Sequence, residues 1–264
     1  MRKRLTWTLV LGTVLAVACA GIATAYKPTI IKEGNLELIL NGGFTPTKLP
    51  KKKLSPIHLK IEGAINTLDG SHPPSLTEVI VEADKNGAIN AKGLAKCTAG
   101  KLAARTTAAA LKACKPAKVG EGKTDVEIAF AEQKPFIVHS KLLAFNGGVK
   151  GGKTTIFIHA YLSNPVSAAV VTTVKVSKIH NGRYGTKSVA TVPPIAGEGA
   201  VRKFQLEIFR TFTYKGKKQS YLLAKCPDGK LKARAKASLN DFAGGTGKIT
   251  TPEGELSFPC TPKR

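Results

Sequence analysis

The chain has 264 residues, with 41 Lys+Arg against 17 Asp+Glu, a formal net charge of +24, and 42% apolar residues. That apolar fraction fits a packed globular chain and excludes a disordered polyelectrolyte. Aromatic residues make up only 6%, so stacking platforms are scarce and nucleic acid is disfavoured as the partner of the positive charge.

The first segment, MRKRLTWTLVLGTVLAVACAGIATAYKPT, has a basic head at Arg2, Lys3 and Arg4 and no charge from Leu5 to Ala25. It closes on Ala23-Thr24-Ala25, small residues where a signal peptidase reads. The expectation is a signal peptide over 1–25, cleaved before Tyr26, and a secreted or cell-envelope protein. Two alternatives stay open. One is an uncleaved anchor, against which Thr6, Thr8, Gly12, Thr13 and Gly21 weigh. The other is lipid attachment at Cys19, because Leu15-Ala16-Val17-Ala18-Cys19 resembles a lipobox. No later segment could span a membrane. Cleavage would leave 38 Lys+Arg against 17 Asp+Glu in about 239 residues.

Next comes strand after strand. NLELIL is followed by GGFTPTKLPKKKLSP, read as a linker or an extended edge. PIHLKIEGAI puts Ile57, Leu59, Ile61 and Ile65 on one side and His58, Lys60 and Glu62 on the other. TEVIVEAD aligns Val79, Val81 and Ala83, and TDVEIAF aligns Val126, Ile128 and Phe130. Period two with one polar face marks antiparallel sheets with one side in water. Between these strands, TAGKLAARTTAAALKAC reads as a helix over about 99–113. It is flanked by Cys97 and Cys114. Four cysteines beyond Cys19 suggest two disulfides in an exported chain. Local pairings, Cys97–Cys114 and Cys226–Cys260, are preferred among the three possible. A four-Cys metal site lacks any C-x-x-C pair.

The stretch FNGGVKGGKTTIFIHAY matches G-x-x-x-x-G-K-[ST] at Gly147, Gly152, Lys153 and Thr154. A phosphate loop must lead into a helix, whose N-terminal amides hold the phosphates. Here it leads into TTIFIHAY, a β-branched and aromatic strand. The expected structure is a hairpin of KPFIVHSKLLAF and KTTIFIHAYL around a Gly-rich loop, with no cofactor. A hairpin symmetric about Val149 would set His139 opposite His159, a pair able to bind metal or sense protons.

VVTTVKVSKI and VRKFQLEIF continue the pattern, with turns at Asp84-Lys85-Asn86-Gly87, Asn181-Gly182-Arg183 and Pro227-Asp228-Gly229. From Lys215 to Lys236 there are eight basic residues and one acid. Lys230, Lys232, Arg234 and Lys236 alternate with Leu231, Ala233, Ala235 and Ala237, which places four cations on one strand face. Lys51-Lys52-Lys53 adds a second cluster. Such stripes attract polyanions. The candidate partners are anionic wall polymer, acidic polysaccharide or lipid headgroups. Neither Gly-x-Ser-x-Gly nor His-Glu-x-x-His occurs, so no catalytic residue is assigned.

FNGGVKGGKTTIFIHAY, HNGRYGT, FTYKGKKQSYLLAKCPDGKL, GGFTPTKLPKKK and DGSHPP together resemble a family of uncharacterised secreted bacterial proteins, over most of the chain. The resemblance implies export and no activity. The expectation is therefore an antiparallel β-sandwich or barrel-like fold over 26–264, with two packed sub-sheets dividing near 131–136. The expected role is that of a non-enzymatic envelope or extracellular protein; an exported enzyme with an unrecognised site is the alternative.

Overall fold

Period-two alternation builds one long antiparallel sheet. The computed structural model describes residues 27–130, 132–163, 167–195, 198–241 and 247–263. The signal-peptide, Tyr26 and Cys19 readings lie outside the described residues. In chain order the main strands are β1 (Thr29–Glu33), β2 (Leu36–Thr45), β3 (His58–Thr67), β4 (Ser75–Asp84) and β5 (Lys118–Phe130). They continue with β6 (Gln133–Lys150), β7 (Lys153–Leu162), β8 (Ala168–Asn181), β9 (Tyr184–Thr191) and β10 (Glu198–Ile208). The last are β11 (Lys230–Asn240), β12 (Ile249–Thr250) and β13 (Glu253–Pro259). The sheet order is β1-β2-β3-β10-β5-β6-β7-β8-β9-β4-β11-β12, with β13 also on β11. The sheet is continuous where a division was expected near 131–136: β5 and β6 are neighbours in one ladder.

The sheet curls until its ends nearly meet. Thr29 Oγ1 of β1 donates to the Glu255 carbonyl of β13 at 3.1 Å. A Cβ on Gly254 would lie 2.6 Å from Ile31 Cδ1. Inside this seam, Leu36, Leu38 and Ile65 pack on Ala237 and Leu239. Leu142, Ala144, Ile156, Ala160, Val176, Leu206 and Leu231 form the main core. Val126, Ile128, Val138, Leu162 and Ile195 fill another part. Each such large side chain, once buried, contributes on the order of 2 kcal/mol. The alternation faces this apolar set inward and Lys, Glu and Thr outward, the reverse of a barrel whose outside meets lipid. Among the described residues no helix is long and apolar enough to cross a membrane.

Both expected disulfides form, Cys97–Cys114 and Cys226–Cys260. The second ties the start of β11 to the C-terminal end, where Thr261–Lys263 pairs in parallel with Lys48–Pro50. The stretch read as a linker or an extended edge is thus in part a short extended strand, Lys48–Pro50, paired with the C-terminal segment. The helix expected over about 99–113 is two pieces, α1 (Ala99–Leu102) and α2 (Thr107–Cys114). Ala104 takes a left-handed φ of 54° between them. Thr106 then restarts the helix, its Oγ1 accepting from the Ala109 amide at 3.3 Å. Both pieces sit on the outer face of the barrel, where Leu102, Ala110 and the Cys97–Cys114 bridge cover Leu143 and Phe145 of β6.

Candidate anion-binding face

Each expected site residue now has a place. The Lys230–Lys236 stripe does lie on the outer face of β11, opposite the buried Leu231, Ala235 and Ala237. Its charge is largely internal. Lys232 Nζ is 3.0 Å from Glu255 Oε2. Arg234 Nη2 is 2.6 Å from Glu82 Oε2, and its Nε is 3.3 Å from Glu253 Oε1. The Tyr184 hydroxyl and then Lys232 hold the Glu255 carboxyl below its usual range. Lys230 and Lys236 alone of the four make no ion pair among the described residues.

The histidine pair does not form. The β6–β7 turn falls at Gly151-Gly152, so Lys153 pairs with Lys150, and a bulge between Thr155 and Ile156 shifts the register again. His159 therefore faces Leu143. His139 lies four residues further along β6, about 13 Å away at strand rise. His139 is exposed, its Nδ1 2.7 Å from Asp125 Oδ1. His159 is fully buried under the α1–α2 cap. Its Nε2 donates to the Arg105 carbonyl at 2.9 Å, and burial pushes its pKa down. It is a neutral strut joining β7 to the cap. Among the described residues no group of three His, Cys, Asp or Glu could hold a metal.

The G-x-x-x-x-G-K-T stretch is a hairpin running straight into β7, with no helix to meet phosphate. Its neighbour Asn146, fully buried, does structural work. Asn146 Nδ2 donates to the Ala95 carbonyl at 2.9 Å, and the Cys97 amide donates to the Asn146 carbonyl at 2.8 Å. Gly148, at φ 87°, lies under the Lys96 stem, 2.6 Å from where its Cβ would be. These contacts fasten the cap to the hairpin.

A broad groove runs over the outer face of β10, β5 and β6. It mixes signs: Glu121, Asp125 and Glu207 stand beside Lys123, Lys141 and His139. Glu121 is bonded by Lys118 and Lys141, which lower its pKa. Such a surface compensates itself. At β5, His72 Nδ1 lies 2.7 Å from Glu127 Oε1, with Arg202 Nε 3.6 Å from Oε2. His72 Nε2 and Arg202 Nη1 are buried without partners. The imidazole clamps the 68–74 loop to β5 but opens on no described cavity.

What stands out is where carboxylates are missing. Residues 85–120 and 133–197 carry sixteen Lys and Arg and no Asp or Glu. The fold brings the two segments together. The second supplies β6, β7, β8 and β9, four neighbouring strands, and the first supplies the cap on their outer face. Lys96, Lys101, Arg105, Lys112, Lys150 and Lys175 are exposed there and make no ion pair among the described residues. The acids lie beyond both margins: Lys118 and Lys141 reach Glu121 of β5, and Arg183 reaches Asp84 and Asp228. One side of the barrel is thus cationic without internal compensation, the arrangement that raises local counter-ion concentration and steers polyanions. The sequence carried the signal as two acid-free gaps, but only the strand order makes them one surface. Comparison of the chain with protein-family models, curated proteins and solved structures found no match.

Proposed function

We propose that this is an exported, non-enzymatic β-barrel protein that holds an anionic polysaccharide of the cell envelope or surroundings against its acid-free side. The observation that carries the reading is the segregation of charge: residues 85–120 and 133–197, which supply the cap and β6–β9, carry sixteen Lys and Arg and no Asp or Glu. A charge serving solubility alone has no need of such segregation. The two disulfides are compatible with an oxidising, exported location. Polysaccharide is favoured over nucleic acid because open rings are few on this face: Phe157 is packed under the cap, Tyr161 is half-buried and the Tyr184 hydroxyl is turned to Glu255.

The test is binding of the full chain to an immobilised polyuronate, a polyol-phosphate wall polymer, anionic phospholipid vesicles and duplex DNA across a salt series. Retention of the polyuronate above physiological salt, lost on Lys101→Glu with Lys112→Glu, supports the reading. Release of all four together at low salt, or binding of none, overturns it.

A further inference from the structure

The same side of the molecule contains a half-open cleft. A cleft of about 620 Å³ opens at one end of the barrel, among the β8–β9 hairpin, the start of β7 and the short strand Gly87–Ile89. That volume lies within the range of small-ligand sites. No carboxylate lines it.

Its cations are placed by the fold. Val176 faces the core and pairs with Thr154 of β7. Two residues further along β8, Lys178 stands on the same face, opposite Thr186. There the face leaves the core and Lys178 is exposed. Apolar interior thus gives way to an ammonium and two hydroxyls at the barrel mouth. Lys85 forms the other side. Its amide donates to the Arg183 carbonyl at 3.0 Å and its Nζ to the Gly182 carbonyl at 3.1 Å. Gly185 permits this approach, since a Cβ there would come 2.6 Å from Lys85 Cα. His180 is exposed at the hairpin end. Lys85, Lys178 and His180 make no ion pair among the described residues. The nearby acids Asp84 and Asp228 are both engaged by Arg183.

Cations on two walls, hydroxyls from Thr154 and Thr186, and an apolar floor at Val176 and Ile89 suit a ring that is part hydroxyl, part hydrocarbon and singly anionic. We infer that the barrel mouth is a subsite for one acidic sugar unit, a uronate, of the polymer held on the acid-free side. This rests on the function proposed above and adds the place where a single unit is read. Lys178 would meet the carboxylate, with the flanking hydroxyls taking the sugar's own.

The experiment titrates the full chain with a polyuronate hexasaccharide, a neutral hexasaccharide and a glycerol-phosphate hexamer. Retention on the long polyuronate is measured in parallel. The expected result is saturable binding of the uronate hexamer, lost about tenfold or more in Lys178→Glu and Thr186→Ala. Lys101→Glu with Lys112→Glu, on the cap, should change hexamer affinity less than about twofold while lowering polymer retention. In the unaltered protein, hexamer should shift the backbone amide resonances of Gly152, Gly182 and Gly185, a readout that needs no variant to fold. Polymer retention without hexamer binding, or hexamer binding indifferent to Lys178, overturns the mouth subsite and leaves the broad face standing. Equal binding of the neutral hexamer, or preference for the phosphate hexamer, overturns uronate recognition. Failure of both hexamer and polymer removes both proposals.

Discussion

Arg183 Nε sits 2.6 Å from Asp84 Oδ2, and that contact ties the turn Asp84–Gly87 to the turn Asn181–Arg183. Asp84 is only 4% exposed. It also accepts from the Asn86 amide at 3.0 Å, the Asn86 side chain at 2.8 Å and the Lys232 amide at 3.0 Å. Arg183 extends the link to Asp228 and to the Lys230 carbonyl.

Asp84→Ala should therefore cost about 3 kcal/mol or more, because it leaves buried donors and a half-buried guanidinium without their acceptor. Asp84→Asn, which keeps an acceptor, should cost less. Urea unfolding of both variants measures this; a cost below about 1 kcal/mol for the alanine variant would contradict the role given to Asp84.

Burial lowers the pKa of His159 below the ordinary histidine value near 6.5. The unfolded chain then takes up a proton below about pH 6.5 that the folded chain refuses, so stability is present above that pH and declines as pH falls toward the folded pKa. The slope from this site reaches at most about 1.4 kcal/mol per pH unit. His159→Gln keeps a donor for the Arg105 carbonyl and does not titrate. Its denaturation midpoint should fall less between pH 7 and pH 5 than that of the parent; parallel curves for the two proteins would refute this.

Replacing Cys97 and Cys114 together by Ala should cost about 2–4 kcal/mol, given a sequence separation of 17. The loss should be local. Hydrogen exchange ought to quicken across 99–114 first, while amides of β5 and β10 stay protected. Uniform loss of protection would mean that the cap is integral to the barrel.

Because Lys232 and Arg234 are held by Glu82, Glu253 and Glu255, the β11 stripe should matter less for polyanions than the cap. Lys230→Ala with Lys236→Ala should lower polyuronate retention about twofold, and Lys101→Glu with Lys112→Glu about tenfold or more. Chromatography in a salt gradient checks the order, and a reversed order would move the contact surface to β11.

Strands were legible because the apolar positions of Ile57–Ile65, Val79–Ala83 and Val126–Phe130 repeat at two; the first and last sets face the core, and Val79 and Val81 lie beside the buried Ala237 and Ala235 of β11. The disulfide pairing followed from proximity in the chain. What failed were matters of one or two residues. The hairpin register depended on a turn at Gly151-Gly152 and a bulge after Thr155, and neither leaves a pattern in side-chain type. The helix over 99–113 breaks at Ala104, where Ala favours helix and the tertiary path overrides it. The stripe on β11 was placed on the correct face, yet its neutralising partners come from β13, the next strand along, and from β4, 152 residues away from Arg234 at Glu82 and adjacent only in the sheet. The acid-free gaps were countable from the start; their meaning waited on knowing that 133–191 folds into four consecutive neighbours.

The seam of the barrel sets an order of events for the chain. Its two lips, β1 and β13, meet through Thr29 and Glu255, which are 226 residues apart. A chain made or delivered from its N-terminus presents the first lip long before the second. The β1–β2–β3 and β5–β9 hairpins can form as they emerge, but the ring cannot shut until β13 arrives, and such distant contacts are slow to close. Removing β13 would leave an open, curled sheet with two bare edges, each a template for another strand.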